Sequence, residues 1–157
     1  MGRLNADAVG RTLAVGGRGA AYGVAATAVM TGWMLLAHKL GLMGQLPPEK
    51  VTANFLRYLG VRPRTPLRQV ATTVGHFGYG AGLGTLFQLG SRVVPGPAPL
   101  RGALFGAAVW AVSYAGWLPA VGLMPPPGRD RPGRQASTLV AHLIFGAVLG
   151  SLAARRS

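Results

Sequence analysis

Cysteine is absent from this 157-residue chain, which excludes disulfides, thiolate zinc sites and thiol nucleophiles. Acidic residues are nearly absent too: Asp7, Glu49 and Asp130 are the whole complement. None of the three lies in a long apolar run, so no carboxylate is at hand to complete a serine triad or a metal shell there. No phosphate-binding loop or dinucleotide fingerprint occurs; the glycine-rich GYGAGLG sits inside an apolar segment, not after a strand. Catalysis by familiar machinery is therefore not expected, and neither is a cofactor. Charged residues make up only 12% of the chain and hydrophobic ones 50%, whereas soluble domains carry about 25% charged residues.

What the chain does have is apolar length, glycine and positive charge. Four apolar segments can be marked at about 18–40, 69–90, 101–123 and 136–154. Each reaches the ~20 residues that a helix needs to cross ~30 Å of hydrocarbon. In lipid the backbone must satisfy its own hydrogen bonds, so these segments read as helices. The fold class expected is all-α: a single polytopic membrane domain forming a four-transmembrane-helix bundle. The first seventeen residues do not make a signal peptide, because Arg11 and Arg18 interrupt the apolar stretch.

The net charge of +13 invites a nucleic-acid reading, but the basic residues lie at the ends of the apolar runs and between them, with none in a run's middle. A nucleic-acid binder gathers them on one stripe of a folded domain. Flanking arginines instead meet anionic headgroups, so the expected partners are the lipid bilayer and a second membrane subunit, identical or not, with no nucleic acid. Topology stays open. Arg3, Arg11, Arg18, Arg92, Arg101, Arg155 and Arg156 fall on one side; Lys39, Lys50, Arg57, Arg62, Arg64, Arg68, Arg129, Arg131 and Arg134 fall on the other. That balance is too even for positive charge to set the orientation.

The connection at 41–68 is the longest and contains PPEKVTANFLRYLG. Pro48 suits a first helical position, Glu49 the first turn, Arg57 the last turn and Gly60 the position just past the end. Val51, Phe55, Tyr58 and Leu59 share one face, which predicts an amphipathic helix at about 48–59 lying on the headgroups or capping the bundle. Residues 91–100 and 124–135 read as short Pro/Gly turns.

The chain also repeats itself. Thr72–Leu86 aligned with Thr138–Leu152 is identical at Thr, Val, His, Gly, Ala, Leu, Gly and Leu, with Tyr79 opposite Phe145. Arg18-Gly19-Ala20 and Gly23 match Arg101-Gly102-Ala103 and Gly106, and the exits GLM at 41–43 and 122–124 agree. Two matched segments in the same order predict a tandem pair of helical hairpins, 18–90 and 101–154, forming a parallel internal repeat. Each segment carries a small-xxx-small pair: Gly19/Gly23, Gly80/Gly84, Gly102/Gly106 and Gly146/Gly150. Such pairs let helix backbones approach closely in lipid, where no hydrophobic drive exists between helices.

His76 and His142 lie one turn before those glycines, at matching depth on the small-residue face. Intramembrane ionisable residues are candidates for function, and three readings compete. The imidazoles lock the bundle through a neighbour such as Ser113, Tyr114, Thr73 or Thr138; or, with Tyr79, Ser113 and Tyr114, they line a polar cavity for protons or a small solute; or they ligate haem or a metal ion. His38, beside Lys39 at a helix end, reads as interfacial, and Asp130 in RDR as neutralised by its neighbours.

LPPEKVTANFLRYLG at 46–60, HFGYGAGLG at 76–84 and AHLIFGAVLG at 141–150 together resemble the YagU-like group of small bacterial inner-membrane proteins. The likeness covers about 18–154. It implies a multi-pass protein of the bacterial cytoplasmic membrane and supplies no catalytic residues.

Overall fold

The computed structural model describes residues 2–62, 64–90 and 96–155, with side chains from residue 7 onward. Of the turn expected at 91–100, residues 91–95 lie outside the described residues and 98–100 already belong to a helix; Arg92, Arg156 and the side chain of Arg3 also lie outside them. Every regular element among the described residues is helical: α1 (Gly2–Lys39), α2 (Pro47–Tyr58), α3 (Thr65–Gly90), α4 (Ala98–Val112), a π-helical turn (Ser113–Trp117), α5 (Leu118–Ala120), a 3₁₀ turn (Pro127–Arg129) and α6 (Pro132–Ala154). Three stretches are long and apolar enough to cross a membrane: Asp7–Lys39, Ala98–Ala120 and Pro132–Ala154. With 26 residues α3 has the length but is not among them. Thr72, Thr73, His76 and Gln88, with its many glycines, dilute its hydropathy.

The helices end where the sequence changes chemistry. At Gly41 (φ +76°) and Gly122 (φ +74°) the chain turns through a left-handed residue that only glycine adopts without strain. Gly41 N–H bonds to His38 O and Leu42 N–H to Ala37 O; Gly122 N–H bonds to Pro119 O and Leu123 N–H to Leu118 O. Both exits are thus the same Schellman turn, and each buries the methionine that follows, Met43 and Met124. His38 does more than sit at an interface: its Nδ1 bonds to the carbonyl of Gly44. Helix α2 starts on Pro47 and Pro48, has Glu49 in its first turn and Arg57 in its last, and buries none of its residues fully. Gly60 closes it with the same turn (φ +72°).

Glycines decide the packing. A Cβ built on Gly19 would meet the carbonyl of Gly84, and one on Gly23 would strike that of Gly80, so α1 and α3 lie backbone to backbone. Helices α4 and α6 do likewise, but Gly102 meets Gly146, Gly106 meets the carbonyl of His142, and Gly150 meets Ala98. The two interfaces use aligned glycines yet differ by four residues, one helical turn. All eight small-residue positions are occupied within the chain. Helix α1 also packs on α6, and Trp33 Nε1 donates to Ser137 O (3.0 Å) across that interface. Buried between them are Ala26, Met30 and Met34 of α1 with Ala141, Phe145 and Leu149 of α6.

The order of the main interfaces is therefore α3–α1–α6–α4, and α3 and α4 meet at one end, where the rings of Phe87 and Phe105 lie 5.2 Å apart, without an extended interface. Val9, Leu13, Val24, Val29, Leu35 and Leu36 of α1 all point outward. A run of exposed aliphatic side chains along one long helix is a surface for acyl chains, not water.

Candidate functional site

The gap left between α3 and α4 is a cavity of about 480 Å³, with the size of a small-molecule site. Helices α1 and α6 form its back, α3 one wall and the α4–α5 segment the other, while α2 covers the end nearest Pro47. His76 from α3 and His142 from α6 both line it. Their surroundings are mostly apolar: Met30, Met34, Leu83, Val109, Leu118 and Phe145 among others. Among the described residues that line it there is no Lys, Arg, Asp or Glu, in a chain with 16 basic residues. The sequence expectation of a polar cavity thus needs changing: the space is apolar, with a few polar groups set into its back.

Each histidine is fixed by a particular bond. The Nε2 of His76 lies 3.2 Å from the Oγ1 of Thr31 on α1, and that hydroxyl donates to Thr27 O at 2.7 Å. On α6, the Nδ1 of His142 bonds to Thr138 O, one turn back, at 2.8 Å. Thr31 was not foreseen as a partner, and Thr73, which was, is exposed. Neither Ser113 nor Tyr114 holds an imidazole. Ser113 Oγ donates to Val109 O at 2.5 Å, and Tyr114 OH donates to Asp130 Oδ2 at 2.6 Å.

The one-turn displacement between the hairpins accounts for this difference. By the repeat alignment Tyr114 stands where Thr31 stands, so in the register of the first hairpin it would meet His142. Shifted by a turn, His142 lies against Gly106 instead, and Tyr114 is free to reach Asp130. Its ring stacks on Trp110, with centroids 5.6 Å apart. The π-helical turn that carries Ser113 and Tyr114 precedes Pro119, whose missing N–H cannot serve a regular helix. Leu118 N–H bonds back to Ser113 O instead.

Behind Tyr114 lies a polar cluster that sequence reasoning did not pick out as a unit. Asp130 is paired with Arg134, one turn further on, through Nη1 to Oδ1 at 2.7 Å, and their side chains are 3% and 7% exposed. Arg134 Nε donates to Met43 O at 2.9 Å, and Arg131 N–H donates to Asp130 Oδ1 at 2.8 Å. Asp130 is thus neutralised by Arg134, not by the flanking guanidinium groups of RDR. The signal that could have found it was the four-residue spacing on a helix start.

Tyr79 stands on the α3 wall, 45% exposed, and Trp117 on the opposite wall, 42% exposed. The eight packing glycines serve the helix interfaces, and of these only Gly80 borders the cavity. No group of three or more His, Cys, Asp or Glu side chains gathers among the described residues.

Comparison with known proteins finds no curated protein and no solved structure that matches. A family model does match, over residues 13–157, nearly the whole chain. The chain belongs to a family of unknown function (DUF6789).

Proposed function

We propose that this protein is a four-span membrane bundle, made from a duplicated helical hairpin, that binds a small solute within the bilayer without transforming it. The observation that carries the reading is the meeting of His76 and His142: two ionisable side chains from helices that do not follow one another line one cavity. The repeat is supported by the matching glycine pairs and by the identical turns at Gly41 and Gly122. A two-fold axis along the membrane normal would give α3 and α4 the same packed contact that α1 and α6 share. That contact is reduced to Phe87 against Phe105 at one end, and the cavity opens beyond it. Helix α2, present only in the first copy, covers the end of the gap. As the fourth span, α3 packs on α1, turns His76 and Tyr79 to the cavity and keeps Val70, Val74, Leu86 and Leu89 outward, so its less apolar residues need not face lipid.

The cytoplasmic membrane of a bacterium is the proposed location, and the likeness to YagU-like proteins is proposed to reflect a shared four-helix plan. A scaffold that docks partners through its glycine faces is less well supported, because those faces are filled by the chain's own helices. The test is complementation. In a strain lacking the gene, the double variant His76→Ala/His142→Ala is expected to reach wild-type levels in the membrane yet fail to restore the lost phenotype. Full rescue would sink the cavity reading.

A further inference from the structure

The polar groups at the back of the cavity share a property that narrows what it can hold, given the solute-binding reading above. A hydroxyl has one proton to donate, and here those protons are already committed. Thr27 donates to Gly23 O at 2.7 Å, Ser113 to Val109 O at 2.5 Å, and Thr138 to Arg134 O at 2.5 Å. Tyr114 donates outward to Asp130. The histidines follow the same logic. The carbonyl of Thr138 has no proton, so His142 must donate from Nδ1, and a neutral ring then keeps a lone pair on Nε2. The single proton of Thr31 goes to Thr27 O, so His76 Nε2 is the donor in their contact and Nδ1 keeps the lone pair.

The back of the cavity therefore offers acceptors, in an apolar and uncharged setting. An occupant that brings only carbonyls or ethers would leave those lone pairs unmatched, and an anion would be repelled. A charged group of either sign would also find no counter-ion in the lining. Access is lateral: Tyr79 and Trp117, both part-exposed, stand on opposite walls where α3 and α4 diverge beyond their contact at Phe87 and Phe105, and that opening faces the acyl chains. We propose that the occupant is an uncharged lipophilic alcohol or phenol, admitted from the bilayer between α3 and α4, whose hydroxyl donates its one proton to the free Nε2 of His142.

Three probes with one apolar body test this: farnesol, farnesyl methyl ether and farnesyl phosphate. Each is titrated into the full-length protein in lipid nanodiscs, with tryptophan fluorescence as the readout, since Trp117 lines the cavity. Farnesol is expected to bind saturably, the ether about tenfold more weakly for want of one hydrogen bond, and the phosphate no better than the ether. His142→Phe should bring the alcohol-to-ether ratio close to one, and His142→Gln, which keeps an acceptor, should largely preserve it. Equal binding of alcohol and ether by the wild-type protein overturns the hydroxyl assignment while leaving a solute cavity in place. Saturable binding of none of the three overturns the assignment; together with rescue by the double histidine variant it removes the cavity reading as well.

Discussion

Asp130 and Arg134 are almost wholly enclosed, and each leans on the other for its charge. Two further donors, Tyr114 OH and Arg131 N–H, complete the carboxylate, and Met43 O takes the Nε proton of the arginine. Removing one member of such a pair strands a buried charge, which costs about 3–5 kcal/mol, while replacing both with apolar residues is often tolerated. Asp130→Leu is therefore expected to lower the unfolding midpoint in detergent sharply. The double variant Asp130→Leu/Arg134→Met should recover most of the loss. A single variant as stable as the parent would show that the cluster carries no such stake. The candidate histidines were legible at this scale because an ionisable residue in an apolar run stands out. Their partners were not. Whether His142 meets Tyr114 depends on a one-turn offset between α4 and α6 that no residue type announces.

Between helices, stability rests on backbone contact more than on side chains. A methyl group on Gly146 would fall on the carbonyl oxygen of Gly102, and rigid backbone cannot step aside as a side chain can. Gly146→Ala must separate α4 from α6, and overpacking of this kind costs about 1–3 kcal/mol. Gly82 on α3 has nothing within 4 Å of the same position, so Gly82→Ala should gain up to about 1 kcal/mol from helix propensity. Comparing the two by unfolding in detergent separates contact from propensity: if both variants shift alike, close approach is not what the glycines provide. These pairs were readable from spacing, as were α2 and its glycine stop, because local chemistry sets them. The π-helical turn was not, since hydropathy is blind to a change from i→i+4 to i→i+5 bonding. Pro119, inside an apolar run, was the one available cue.

For the molecule as a whole, the open question is how many times it crosses the bilayer. Composition alone marks three helices, and α3, richer in threonine and glycine, falls outside that set. Packing argues for a fourth span. Backbone contact from Gly19–Gly84 to Gly23–Gly80 runs α3 antiparallel to α1 at the same depth, so a crossing α1 carries α3 through with it. The ends sort accordingly. Asn54 Nδ2 donates to Leu123 O, and Arg134 Nε to Met43 O, which gathers α2 and the 122–134 connection at one end. Residue 96 and the C-terminal end of α6 belong at the other. Every native cysteine is absent, so single cysteines can be introduced and labelled with a membrane-impermeant maleimide. Cysteines replacing Gly96 and Arg155 are expected to react from one side of the membrane, and those replacing Lys50 and Gly128 from the other. If α3 fails to cross, parity changes: Gly96→Cys reacts from the same side as Lys50→Cys, and the four-span bundle, with the intramembrane depth of His76, is lost together.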